Sequence, residues 1–151
     1  MKILVSIFMV SAALFAQNIE ITALNFKADE KEGFTEFTGS VNVIKGNSEL
    51  NATKVIVFFD ENRVAKRYEA YDNVSFYIEE EESKFRGTSQ KLFYYPQMQK
   101  YEFFVGVDIY DIVNRRTLQG DEVEVLLNEG KASVVGSEER PVKFIFEMDK
   151  N

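Results

Sequence analysis

The chain has 151 residues and a formal net charge of −7, from 18 Lys plus Arg against 25 Asp plus Glu, with no His and no Cys. The excess of acid excludes a nucleic-acid binder that works by neutralising phosphates, and the lack of imidazole and thiol removes the commonest general base, thiol nucleophiles and the usual N/S metal ligands. The length suits one domain with its own core, neither an enzyme nor a cofactor is expected, and 14 Phe with 7 Tyr fit pleated strands better than helices.

Residues 1–16, MKILVSIFMVSAALFA, place one Lys before an apolar run from Ile3 to Ala16 with small residues near its end. The run is short of the roughly 20 apolar residues of a spanning helix, so it reads as a secretory signal peptide cut after Ala16, leaving a mature domain of residues 17–151. From Asn18 to Ala28 the apolar positions are Ile19, Ile21 and Ala23, then Leu24 and Phe26. That change of parity near Ala23 predicts a strand interrupted by a bulge, acting as an end cap. Asp29 to Gly33 is a charged turn.

The stretch FTGSVNVIKGNSELNATKVIVFF, Phe37 to Phe59, is the first full unit. Phe37, Gly39, Val41 and Val43 share one parity, Lys45 to Ser48 form a polar turn, and Val55, Val57 and Phe59 again share one parity. Side chains alternate faces with period two along a strand, so this is strand, turn, strand. After the turn cluster Asp60 to Asn62 a second unit runs through Tyr68, Ala70, Val74, Phe76 and Ile78, turns at Glu79 to Ser83, and returns through Phe85, Gly87, Leu92 and Tyr94 to Pro96. The third runs through Tyr101, Phe103, Val105, Val107 and Ile109, turns at Val113 to Arg116, and returns through Leu118, Gly120, Val123, Val125 and Leu127 to the turn Asn128 to Gly130.

The units are in register. Val41, Val74 and Val107 are spaced by 33 residues (74 − 41 and 107 − 74), and the small residues Ala52, Gly87 and Gly120 are each followed by aligned positions ending at Phe59, Tyr94 and Leu127. A truncated fourth unit spans Ala132, Val134 and Gly136, and after Pro141 the alternation of Val142, Phe144 and Phe146 predicts a closing strand. No apolar 3.6-residue period persists in the mature chain, so the fold class is all-β: antiparallel hairpins built from about three repeats and two caps, sharing one interior.

That interior should be lined by Phe37, Val41, Val43, Val55, Val57 and Phe59 of the first unit, Val74, Phe76, Leu92 and Tyr94 of the second, and Phe103, Val107, Ile109, Val123 and Val125 of the third. Two sheets closed over these residues would be a filled sandwich; sheets splayed apart would make a groove for an apolar ligand. The pattern leaves both open. Ile56, Phe58, Phe93 and Phe104 are apolar on the opposite parity, which predicts that something covers the second face. The two end strands would be free edges, suited to end-to-end self-association. The acidic run Glu79 to Glu82 reads as a solvated hairpin tip, and the basic groups Arg63/Lys66/Arg67, Lys84/Arg86 and Arg115/Arg116 as surface charge, with lipid phosphates at a groove mouth as the alternative. Asn51-Ala52-Thr53 matches a glycosylation acceptor but lies inside the repeat pattern.

The elements FTGSVNVIKGNSELNATKVIVFF, AYDNVSFYIEEEESKFRGTSQKLFYY and FVGVDIYDIVNRRTLQGDEVEVLL, behind a signal peptide, resemble the periplasmic A component of the lipopolysaccharide transport (Lpt) system, an OstA-like domain. The likeness lies in a Gly or Asn before the first Val, a polar turn, and a small residue before a Val/Leu alternation, and it covers about Asn18 to Phe146. It implies an open antiparallel β-jellyroll, or β-taco, in the periplasm, whose inside binds lipopolysaccharide acyl chains. It also implies that copies join end to end as a bridge between Lpt components at the inner and outer membranes. The fifteen interior residues would then be the lipid-binding face. A β-repeat envelope scaffold with a filled core, and the membrane-anchored C component of the same pathway, are the alternative readings.

Overall fold

The computed structural model describes residues 18–148; the predicted signal peptide, residues 1–16, lies outside them. Ten strands follow in order: β1 (Ile19–Thr22), β2 (Asn25–Asp29), β3 (Phe34–Lys45), β4 (Ser48–Phe59), β5 (Ala65–Glu80), β6 (Ser83–Tyr95), β7 (Lys100–Asp111), β8 (Arg116–Leu126), β9 (Lys131–Val135) and β10 (Lys143–Phe146). Among the described residues the helical content is one 3₁₀ turn, Pro96–Met98, where Pro96 ends β6. Every pairing is antiparallel, and β3 to β8 are joined hairpin to hairpin in chain order. β1 and β2 both pair with β3 along one edge, and β9 and β10 both pair with β8 along the other.

What the sequence repeats is a bend. The register shifts between Thr38 and Val41, Asn51 and Lys54, Tyr71 and Val74, Thr88 and Lys91, and Phe104 and Val107, so each long strand is broken near its middle. In β3, β5 and β7 the break is a pair of consecutive left-handed residues: Gly39 (φ 85°) with Ser40 (φ 46°), Asp72 (φ 66°) with Asn73 (φ 51°), and Val105 (φ 65°) with Gly106 (φ 60°). Glycine, Asn and Asp tolerate this region and β-branched residues do not. These pairs immediately precede Val41, Val74 and Val107, which accounts for the 33-residue spacing. The predicted interruption at Ala23 is the counterpart in the cap: β1 ends, Leu24 donates its N–H to the Gly39 carbonyl at 3.0 Å, and β2 begins.

The breaks line up as a crease that folds the sheet into two facing half-sheets. The first holds β1, β10 and the parts of β3 to β8 on the side of Lys45, Glu80 and Asp111; the second holds β2, β9 and the remainder. Side chains meet between them: Phe76 of the first half-sheet packs on Phe103 of the second with ring centroids 4.7 Å apart, and Phe85 packs edge-on against Phe103 and Tyr101. Phe103 is wholly buried. The register of small residues shared by the units also has a steric cause. A Cβ on Gly87 would fall 2.0 Å from the Asp108 carbonyl oxygen and 2.9 Å from the Phe76 ring, and one on Gly120 would fall 2.6 Å from Val134 Cγ1.

Among the described residues no further layer covers the second apolar face. On the outside of the second half-sheet, Phe93 packs against Tyr71 and Phe104, while Arg67 lies 4.3 Å over Phe58, Lys54 4.9 Å over Tyr71 and Lys100 4.5 Å over Tyr95. Long cationic side chains cover aromatic surface with their stems and hold their charge over the rings. The opposite-parity aromatics are thus shielded by their own neighbours.

Candidate groove between the half-sheets

All fifteen predicted interior residues lie between the half-sheets. Val41, Val55, Val57, Val74, Phe76, Leu92, Tyr94, Phe103, Val107, Ile109 and Val123 are buried, and Phe37, Val43, Phe59 and Val125 are half-buried against them. The interior is not uniform along its length. Through the middle, over β4 to β7, the facing side chains interdigitate and leave an apolar cavity of about 70 Å³ bordered by Val43, Leu50, Val55, Ala70 and Leu92. Toward the β8 to β10 end the half-sheets separate. There Ile109, Leu118 and Phe144 on one side face Val125, Leu127 and Ala132 on the other across a groove of about 620 Å³, within the roughly 300–1,000 Å³ range of ligand sites.

The mouth of the middle section is closed by four polar side chains, two from each half-sheet. Lys45 Nζ donates to Glu80 Oε1 at 2.9 Å and to the Tyr94 hydroxyl at 3.0 Å, and the Tyr101 hydroxyl donates to Glu80 Oε1 at 3.0 Å. Lys45 and Glu80 are at the ends of β3 and β5 in the first half-sheet; Tyr94 and Tyr101 stack on each other in the second, centroids 4.4 Å apart, with Tyr68 beside Tyr94 at 5.9 Å. Burial works against the charge on Lys45, but hydrogen bonds and charge from Tyr94 and Glu80 outweigh it and hold its pKa above the ordinary lysine value. Burial, with Glu80 beside it, pushes the Tyr101 phenol far up.

This corrects the reading of Glu79 to Glu82 as a solvated tip. Glu81 and Glu82 are exposed, but Glu79 accepts from the Tyr77 hydroxyl at 2.7 Å, and Glu80 turns inward to the mouth. Of the basic groups, Arg67 pairs with Glu69 on the outer face, Arg86 lies over Tyr110 and Arg115 faces Glu147, while Lys84 and Arg116 border the open groove, Arg116 held 3.0 Å from Asp111. Asn51 is exposed on β4 and accepts from the Asn42 amide at 2.9 Å. Lys45, Glu80, Tyr101, Leu118 and Phe144 were outside the predicted lining. Lys45 continues the inward parity of Val41 and Val43, and Glu80 that of Phe76 and Ile78, so the alternation carried the signal through what reads as turn.

The family model for the LptA/(LptD N-terminal domain) LPS transport protein matches residues 20–131. The chain belongs to that family. Among solved structures it is similar to LptH, described as the LptA homologous periplasmic component of the conserved lipopolysaccharide transport device from Pseudomonas aeruginosa. The two superpose with a TM-score of 0.76 at 13% identity, over 87% of this chain and 96% of that one. At that identity the likeness establishes the fold, the open β-jellyroll of the LptA type. No curated protein sequence matches it. Family membership makes this chain a lipopolysaccharide transport component, and transport rather than catalysis is the family's role.

Proposed function

We propose that the chain is a periplasmic bridge protein that holds lipopolysaccharide acyl chains between its half-sheets and passes them along end-joined copies from the inner toward the outer membrane. The observation that carries this is the splayed β8 to β10 end, where apolar side chains of both half-sheets face a 620 Å³ groove. Every methylene kept from water is worth about 0.8 kcal/mol, so a lipid with several acyl chains crosses an aqueous space only if shielded throughout. A trough with Val, Leu and Phe on both walls provides that shielding, and joining copies end to end would carry the apolar walls from one copy to the next.

The chain's edges suit joining. β10 is exposed along its whole length, with Phe144 and Phe146 on the side that pairs with inward-facing Leu118 and Arg116, and at the other end Leu24, between β1 and β2, and Phe26 of β2 are exposed. A strand added at either edge would continue both the hydrogen-bond ladder and the apolar interior. The test is lipid copurification. Leu118→Asp with Leu127→Asp puts two carboxylates on facing walls of the groove and should reduce bound lipopolysaccharide at least about tenfold, because an unpaired charge is costly in an apolar site. Thr117→Asp, on the outward face of β8, should leave it unchanged. Equal retention by the groove double variant and by wild type contradicts the proposal.

A further inference from the structure

We propose that Lys45, Glu80, Tyr94 and Tyr101 form a latch that holds the half-sheets shut at the centre of the molecule and must open for an acyl chain to pass the length of the interior. The inference rests on the groove being the lipid path.

Three observations support it. The network bridges the half-sheets at the mouth, opposite the crease, where a strut resists opening with the greatest leverage: two of its three hydrogen bonds cross the gap. All four of its side chains line the central cavity of about 70 Å³, and none borders the groove of about 620 Å³ toward β10. The cavity lies far below the roughly 300 Å³ at which ligand sites begin, so the groove is open at one end and blocked in the middle while the latch is closed. The chemistry is also that of a breakable contact. The Lys45 and Glu80 side chains are 26% and 16% exposed, and a part-buried ion pair adds little net stability compared with apolar packing of the same shape. Val or Leu would continue the inward pattern of β3 and β5 at these positions; a lysine, a carboxylate and two hydroxyls instead give a closure that water or an anionic group can take apart.

The chain has no Cys, so thiol-directed spin labels report only where they are placed. Labels at Glu81→Cys, on the tip beside Glu80, and Met98→Cys, on the exposed 3₁₀ turn beside Tyr94 and Tyr101, measure the width of the mouth by double electron–electron resonance. The closed wild-type mouth should give one narrow distance. Glu80→Lys, which sets like charges at the latch, should lengthen and broaden it, and the charge swap Lys45→Glu with Glu80→Lys should restore it. In parallel, loading of fluorescent rough-form lipopolysaccharide should be about tenfold faster for Glu80→Lys than for wild type, equivalent to removing ~1.4 kcal/mol of closure, and should return to the wild-type rate in the swap.

Distances that do not differ among the three proteins overturn the latch. A mouth that widens without a change in loading rate also overturns it as a gate, while leaving the groove as the binding site. Failure of every protein, wild type included, to take up lipopolysaccharide overturns the groove reading and the gate with it. A urea-unfolding transition of Glu80→Lys as cooperative as that of wild type separates lost latching from lost folding.

Discussion

Val105 is the third member of a series whose other members are Gly39 and Asp72, and it alone places a β-branched side chain in the left-handed region, at φ 65°. That conformation costs an L-residue about 1–2 kcal/mol, and more when the side chain is branched at Cβ. Asn at this position should relieve most of the cost. The opposing loss is small: Val105 is already 53% exposed, so removing its methyls forfeits less than ~1 kcal/mol of apolar burial. Val105→Asn should therefore stabilise the fold by roughly 1 kcal/mol, which raises Tm by about 3–5 °C for a domain of this size. In urea the midpoint should rise at constant slope. Val105→Thr keeps the branching and should give no gain, and Asp72→Val should install the same strain and cost about 1–2 kcal/mol. If Val105→Asn is neutral or destabilising, or if Asp72→Val is harmless, the crease is not strained as its backbone angles indicate.

Gly87→Ala should cost more than ~2 kcal/mol, because the added Cβ falls 2.0 Å from a backbone oxygen that cannot rotate away; a urea midpoint equal to wild type would contradict that packing. Phe103→Ala should cost about 3–5 kcal/mol in the same assay, as expected of a fully buried aromatic, and a loss below ~1 kcal/mol would mean that the middle of the interior is not filled. Burial and hydrogen bonding to Glu69 and Glu102 push Tyr71 and Tyr95 up to about 12, and Lys45 and Tyr101 are raised as well. All four hold protons more tightly folded than unfolded, so their contribution is intact below pH ~10 and is lost as pH rises from there toward 12. The urea midpoint should be level from pH 8 to 9.5 and fall above 10, and a midpoint that is unchanged or rising at pH 11 would contradict the assignment.

How much of the fold the residues disclose follows from how each bend is built. In β3, β5 and β7 the crease inserts two left-handed residues, an even number, so Phe37 and Val41, Ala70 and Val74, and Phe103 and Val107 keep one parity and each strand reads as straight. In the returning strands the inward parity changes, as from Ala52 to Val55 and from Gly120 to Val123, and that three-residue step is the visible trace of the crease. The repeats were legible because each unit bends at the same place; the direction of the bend was not, because parity carries no sign of it. Lys45 and Glu80 were missed because polar residues at hairpin tips are usually solvated, and only the opposite half-sheet brings Tyr94 and Tyr101 to them. Whether the interior is filled or open could not be read from a list of apolar positions. Val57 and Val125 occupy equivalent places in their units, yet Val57 is buried in the packed middle and Val125 borders the groove.

The account turns on lipid lying between the half-sheets rather than along the outer faces, and neighbouring residues on β8 separate the two. Val125 points into the groove and Glu124 points away from it. A photo-activatable amino acid placed at each in turn, in cells that make lipopolysaccharide, should give a strong crosslink to lipopolysaccharide at Val125 and background labelling at Glu124. Equal labelling at the two positions, or stronger labelling at Glu124, would contradict it.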